Sequence, residues 1–233
     1  MRLHRFYINK PIPEGVFDIS DSDLVHQWRS VFRYNVASQV ILFDGSGFDY
    51  FAIITSLRNS GATLEIIKKT KNKTKPKINL WLCIGIIKKD NFELAVQKVT
   101  ELGVSQIIPV LCERSEKKNL NMERLKKILI ESSEQSGRGD IPVIHDIIEL
   151  PDLLNNGILP KNKIALQLKG EYIGDFLEQN NLKDLAVFIG PEGGWSDRET
   201  QIFLEHNIPN ISLGTQVLRA ETAAISVASL LLL

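Results

Sequence analysis

The sequence predicts an α/β protein, a parallel sheet with helices on both faces, preceded by a smaller β-rich domain. Three observations carry this expectation. After residue 77, apolar strand-like runs alternate with helical patterns, as in a parallel sheet buried on both sides. Before it, the apolar runs are β-like, separated by glycine-containing turns and interrupted by one helix. Between them, Lys68-Lys-Thr-Lys-Asn-Lys-Thr-Lys-Pro-Lys77 is basic, poor in apolar residues and broken by Pro76, as a solvated linker or a strand end would be. The expected domains are residues 1–72 and 73–233.

In the N-terminal part, Leu3–Ile8, Gln39–Phe43, Phe48–Leu57 and Ala62–Lys69 read as strands. The last three are joined by Asp44-Gly-Ser-Gly47 and Asn59-Ser-Gly61, both turn sequences. Within Asp23–Arg33, Leu24, Val25, Trp28 and Phe32 form an apolar stripe at helical spacing, with Asp21 or Ser22 as cap. The opposite face carries His26, Arg29 and Arg33, which suits an RNA-contacting edge or an ordinary solvated face. A small β-barrel with one helix fits this stretch.

In the C-terminal part, Asn79–Ile87, Gln106–Leu111, Val143–Ile148, Lys163–Leu168, Leu185–Ile189 and Asn210–Leu213 read as strands. Asn91–Leu102, Met122–Ser136, Pro151–Asn156, Gly174–Gln179, Ser196–His206 and Ala220–Leu233 read as helices. Gly103 is placed to end the first of these, and Ser196-Asp-Arg-Glu199 is a capping box opening another.

Net charge is zero, which argues against a generic polyanion binder, but residues 1–77 carry an excess of Lys/Arg and the remainder an excess of Asp/Glu. That asymmetry suits a local nucleic-acid surface or ordinary scatter of surface charge. The N-terminus has no apolar signal region, and the run Ala223–Leu233 is too short to span a bilayer, so no membrane partner and a cytoplasmic location are expected. Cys83 and Cys112 are isolated and the four histidines are far apart, so neither a disulfide nor a metal site is expected.

No GxxxxGK[ST] string is present, and the two GxG strings do not follow buried strands, which argues against P-loop and dinucleotide sites. Two other strand exits invite a ligand. In Ile189-Gly-Pro-Glu-Gly-Gly194, Gly190, Gly193 and Gly194 let the backbone approach a ligand, Pro191 stiffens the turn and Glu192 disfavours phosphate. A cationic or zwitterionic small molecule fits better. In the second exit, Leu213-Gly214 and Val217-Leu218 form an apolar ledge for a flat ring, followed by Arg219, Glu221 and Thr222. A third candidate is Glu131, Glu134 and Arg138 at helical spacing, with a solvated helix end as the alternative.

These segments, with others in order along the chain, resemble the SPOUT-class 16S rRNA uridine-N3 methyltransferase family. The resemblance rests on Arg2-Leu-His-Arg-Phe-Tyr7, Leu42-Phe-Asp-Gly45, Val96-Gln-Lys-Val-Thr-Glu-Leu-Gly-Val104, Glu113-Arg-Ser115 and Glu134-Gln-Ser-Gly-Arg138. It is completed by Ile189–Gly194, Leu213-Gly214 and Leu218-Arg-Ala-Glu-Thr-Ala223. It implies a PUA-like N-terminal barrel that binds RNA, through Arg2, Arg5, His26, Arg29 and Arg33. It also implies a C-terminal domain with a deep trefoil knot, and a homodimer acting on the small ribosomal subunit. S-adenosyl-L-methionine is the implied methyl donor. Its implied contacts are Gln167 and Leu168 on one loop, Ile189 to Gly194 on a second, and Leu213, Gly214, Val217, Leu218, Arg219, Thr222 and Ala223 on a third. Arg219, Glu221 and Arg138, the last from the other subunit, are the implied catalytic groups. A sibling enzyme acting on ribose 2′-OH or another base, and a non-catalytic ribosome-assembly protein, are the competing readings.

Overall fold

The computed structural model describes residues 3–115 and 119–233. The chain forms two compact units, one of Met1–Lys75 with Ser133–Ile141, the other of Pro76–Ser132 with Pro142–Leu233.

The first unit is built on a five-stranded sheet. Its strands are β1 (Arg5–Tyr7), β2 (Gly15–Ile19), β3 (Gln39–Phe43), β4 (Phe48–Arg58) and β5 (Gly61–Lys71), in the order β1-β3-β4-β5-β2. The pairings are antiparallel except β1 with β3. Gly45 and Gly47, at φ +82° and +83°, make the β3–β4 turn. Helix α1 (Ser22–Ser30) is capped by Asp21, whose carboxylate accepts from the amides of Asp23 and Leu24. It buries Val25 and Trp28 against Phe6, Leu42, Ile54 and Leu64.

Two readings are corrected here, and one alternative that the sequence left open is decided. β2 was missed, because Gly15-Val-Phe-Asp-Ile19 is short and its side chains alternate only weakly between apolar and polar. The basic segment after Ala62 is a strand end as far as Lys71, held by Lys69 over the rings of Phe48 and Tyr50. The helix ends at Ser30, three residues early, where Val31 and Phe32 both turn their amides onto the Gln27 carbonyl. Arg33 therefore leaves the helical face and takes a left-handed φ of +55°.

A polar knot of bonds organises one edge of this unit. Arg5 makes a bidentate pair with Asp49 (2.8 and 2.9 Å) and donates to the Arg138 carbonyl at 2.8 Å. Asn72 reaches Asp49 and the Gly137 carbonyl, and Glu134 accepts the Tyr7 amide at 2.8 Å. The Glu134–Arg138 segment thus carries structural bonds of the N-terminal unit, something its helical spacing did not suggest.

The second unit is α/β with a seven-stranded parallel sheet. Its strands are β6 (Asn79–Gly85), β7 (Gln106–Leu111), β8 (Val143–Ile144), β9 (Ile148–Glu149), β10 (Lys163–Tyr172), β11 (Asp184–Ile189) and β12 (Asn210–Ser212). The order is β12-β10-β11-β6-β7-β8, with β9 also on β7. Every residue from Leu185 to Ile189 is buried, so both faces of the sheet are covered. Helices α2 (Lys89–Leu102), α3 (Met122–Ser136, of which Met122–Ser132 belongs to this unit), α4 (Leu150–Asn155), α5 (Ile173–Gln179), α6 (Asp197–Glu205) and α7 (Ala220–Leu232) alternate with the strands. Leu150 and Leu153 of α4 and Phe203 of α6 pack on one face with Cys83, Ile108 and Phe188. α7 packs against β6, β11 and α2.

The Leu-Gly-Val stretch after α2 has a steric reason. Gly103 caps the helix at φ +110°, its N–H donating to Val99 and Thr100, and a Cβ there would overlap the Pro76 ring. The single strand expected over Val143–Ile148 is two short ones, because β7 hands its pairing from Ile144 to Ile148. β10 runs past its expected end, and its register on β12 jumps from Leu166 to Glu171. Residues 167–170 bulge out of the ladder there, and Gly170 lies so close to the Asn210 carbonyl that no side chain would fit.

Candidate active site

β10, β11 and β12 are neighbours in the sheet, although β6 and β11 are distant in sequence. Their C-terminal ends lie at the place where the strand order reverses, the crevice in which open α/β sheets take ligands. A cavity of about 440 Å³ opens there, within the roughly 300–1,000 Å³ usual for small-molecule sites.

Three chain segments line it: Leu166–Leu168 at the β10 bulge, Ile189–Trp195 after β11 except Gly193, and Ile211–Ala220 after β12 except Thr215. Thr200 and Ala223 complete the wall. Of the residues the sequence singled out, Gln167, Leu168, Ile189, Gly190, Pro191, Glu192, Gly194, Leu213, Gly214, Val217, Leu218, Arg219 and Ala223 are there. Gly193 and Thr222 are not, nor are Glu221 and Arg138. Leu166, Trp195, Thr200, Ile211, Ser212, Gln216 and Ala220 were missed. Trp195 could have been found, since it directly follows a glycine pair at a strand exit; the others depend on which strands become neighbours.

The glycine turn is held from several sides. Gly194 sits at φ +67° and donates to the Pro191 carbonyl at 2.8 Å. Glu192 turns its carboxylate to the Lys88 amide (3.1 Å), the N-cap position of α2, which has no side-chain cap of its own. Trp195 packs edge-on against Phe203 (4.8 Å) and donates its indole N–H to the Leu166 carbonyl (3.2 Å), joining the turn to the β10 bulge. Ser196 and Glu199 form the reciprocal capping box that starts α6. Glu199, almost fully buried, also accepts the Glu113 amide at 3.0 Å.

Gly85 is the close approach that seats this turn. A Cβ there would stand 2.8 Å from Pro191 N and Cδ and 3.0 Å from Cys112 Sγ. Gly85→Ala is therefore expected to push Pro191 outward and to cost about 1–3 kcal/mol in a denaturant titration. An unaltered unfolding midpoint would show that the turn yields freely and is not seated by Gly85.

The walls are largely apolar, with a few polar groups at defined places. Arg219 is the exposed N-cap residue of α7 and makes no side-chain hydrogen bond or ion pair among the described residues. Glu221, in the first turn of α7, is buried, and its Oε2 finds no partner among the described residues. Gln167 Nε2 is likewise buried without a partner. An apolar slot, a glycine-rich turn and an amide donor without a partner among the described residues fit a nucleoside with a charged, zwitterionic tail.

The remaining candidates lie elsewhere. Arg138 is 4% exposed, belongs to the first unit and pairs with Asp140 at 3.0 Å. Glu131 is exposed beside Lys127, and α3 ends at Ser136, so Glu131, Glu134 and Arg138 do not share a helical face. His26, Arg29 and Arg33 are exposed on the first unit, Arg5 is engaged by Asp49, and Arg2 lies outside the described residues. Cys83 and Cys112 are free and buried, and burial pushes both thiols well up, which keeps them protonated. Among the described residues no group of three His, Cys, Asp or Glu could hold a metal ion, and no helix is long and apolar enough to cross a membrane.

A parallel sheet with an apolar, glycine-floored cavity at its strand ends is the layout of a nucleotide- or nucleoside-using enzyme domain. Residues 73–232 match the family model described as an RNA methyltransferase domain. A ribosomal RNA small subunit methyltransferase E of Rickettsia conorii is 32% identical, covering 97% of this chain and 93% of its own length. Among solved structures, the ribosomal RNA small subunit methyltransferase E of Neisseria gonorrhoeae bound to S-adenosyl methionine superposes with a TM-score of 0.89 at 28% identity, covering 98% of this chain and 96% of that one. A methyltransferase of Legionella pneumophila in complex with the bound cofactor SAM gives a TM-score of 0.89 at 28% identity, covering 99% and 97%. The chain belongs to the ribosomal RNA small subunit methyltransferase E family.

Proposed function

We propose that this protein transfers a methyl group from S-adenosyl-L-methionine to N3 of a uridine in 16S rRNA of the small ribosomal subunit. The observation that carries the reading is the apolar cavity at the ends of β10, β11 and β12, lined by Gly190–Glu192 and Gly194, in a chain of this family. The donor supplies, when bound, a methyl group activated by its sulfonium. Leu213, Val217 and Leu218 flank the adenine, while Gly190–Gly194 and the backbone of 213–219 hold the remainder. Gln167 and Leu168 close the β10 side. Thr222 and Ala223 support from the start of α7.

Uracil N3 is hidden in a base pair, so the target base is unpaired or extruded. Arg219 stabilises the anion developing on the uracil oxygens as N3 loses its proton. Glu221 acts from within the first turn of α7, as the base or the group that orients the site. Arg138 enters this reading from a second subunit of a homodimer. The first unit, taken as a PUA-like barrel over residues 1–72, meets RNA through the exposed His26, Arg29 and Arg33, with Arg2 and Arg5 at its start. Residues 73–233 are taken as a SPOUT domain whose C-terminal segment is knotted, in the cytoplasm. In the strand order β12-β10-β11-β6, the later β11 is inserted between β6 and the earlier β10, which supports that reading.

The test is incubation with labelled donor and small subunits from cells lacking this protein, followed by nucleoside mass spectrometry. Methyl on uridine N3 is the expected product. Methyl on ribose or another base would move the reaction to a sibling class, and absence of donor binding in calorimetry would make the protein non-catalytic.

A further inference from the structure

Glu113-Arg-Ser115 is one of the segments on which the family resemblance rests, but it has no place in the reaction described above. Its position is informative. The segment leaves β7 as a tight turn in which the Ser115 amide donates to the Cys112 carbonyl (3.1 Å) and the Ser115 hydroxyl accepts the Cys112 amide (3.3 Å). That turn aims Arg114 at the outer side of the glycine turn after β11. Arg114 Nη1 donates to the Gly193 carbonyl and to the Trp195 carbonyl, both at 3.0 Å.

The packing agrees with the hydrogen bonds. A Cβ on Gly193 would stand 3.0 Å from Arg114 Cβ and 3.4 Å from Arg114 Cδ, so the arginine stem lies flat on the glycine. This also explains why Gly193, alone in its turn, does not line the cavity: it faces Arg114. The two loops are tied a second time through Glu199, which accepts the Glu113 amide (3.0 Å) and the Ser196 amide (2.8 Å).

We propose that Arg114 is a positioning residue for the donor-binding turn, holding the Gly193 and Trp195 carbonyls outward so that Gly190–Gly194 is already shaped when the donor arrives. The inference rests on the reading of this cavity as the donor site. Gly193-Gly194 is the most flexible dipeptide of the turn, and ordering it costs backbone entropy. Without Arg114 that cost falls on donor binding. Arg114 does not line the cavity, so its effect passes through the turn. Both bonds run from one charged donor to neutral carbonyls, a charge-assisted arrangement. Because Arg114 is exposed, its removal opens no core cavity.

The experiment compares wild type, Arg114→Ala and Arg114→Lys by calorimetry with S-adenosyl-L-methionine and by steady-state methylation of small subunits, with thermal unfolding alongside. For Arg114→Ala, donor Kd and KM are expected to rise about tenfold, the size expected for loss of charge-assisted hydrogen bonds. The kcat at saturating donor, the KM for the subunit and the unfolding midpoint should stay near wild type. Arg114→Lys should recover part of the donor affinity, since one ammonium can reach one carbonyl but cannot reproduce the planar fork. Donor affinity of Arg114→Ala within twofold of wild type overturns the proposal, as does a loss confined to kcat or to the KM for the subunit. If wild type itself fails to bind the donor, it is the reading of the cavity that falls.

Discussion

Arg219→Ala is expected to lower the rate of methyl transfer by about 10²–10³-fold, the loss typical of removing one preorganised donor to a developing anion. Donor binding measured separately should be largely retained. Arg219 caps α7 without a side-chain capping bond, borders the cavity and pairs with no other described residue. Among the described residues no side-chain bond depends on its guanidinium, so stability should move by no more than about 0.5 kcal/mol. The charge is instead available to a group that appears only during the reaction. Arg219→Lys should restore a fraction of the rate, because the ammonium keeps the charge but loses the planar fork that matches two oxygens. A variant with unaltered kcat would remove Arg219 from the mechanism.

Glu221→Ala should lower kcat by about 10²-fold, at the lower end of what a positioned acid–base group contributes. Its stability effect should be small or favourable. Glu221 is 6% exposed, and one of its oxygens is buried without a partner among the described residues, an arrangement that costs folding free energy. Against that stands the interaction of a carboxylate with the start of α7, worth roughly 0.3–1 kcal/mol. The two terms oppose each other, so the unfolding midpoint should stay within a few degrees of wild type while activity collapses. The comparison of thermal melts with single-turnover rates separates the cases: activity falling only in step with the folded fraction would mean that Glu221 serves the fold alone.

The elements most legible in the sequence were those with strong local periodicity or sterically demanding punctuation. α3, α7 and β7 lie where apolar spacing placed them, within a residue. Gly103 ends α2 because its φ of +110° and the ring of Pro76 admit no side chain. Ser196 and Glu199 form the capping box that their spacing announced. Where local signals were weak, the reading slipped. β2 is held by its pairing to β5 rather than by alternation of its own. The end of α1 is set by the Gln27 carbonyl collecting two amides, which no sequence pattern marks.

The same division runs through the candidate site. Gly190–Gly194 and Leu213–Arg219 were legible as ligand-facing turns, because glycine pairs, a proline and a strand exit have local conformational consequences. Their meeting on one cavity was not, since it depends on β10, β11 and β12 becoming neighbours. The Glu134–Arg138 segment shows the opposite error. Helical spacing suggested one polar face, yet Glu134 holds the Tyr7 amide and Arg138 is buried beside Asp140.

By itself the sequence determined the fold class, the positions of most strands and helices, the two glycine-bearing turns and the family. Each of these follows from side-chain periodicity, from φ values only glycine tolerates or from motifs in order along the chain. Only the tertiary structure decided which turns share a wall, that Trp195 ties the glycine turn to the β10 bulge, that Arg114 lies against Gly193, and that Glu221 is buried while Arg219 is not. Those are contacts between residues far apart in sequence, set by the order of strands in the sheet. No local pattern encodes that order, because it arises from the combined packing of every helix and strand.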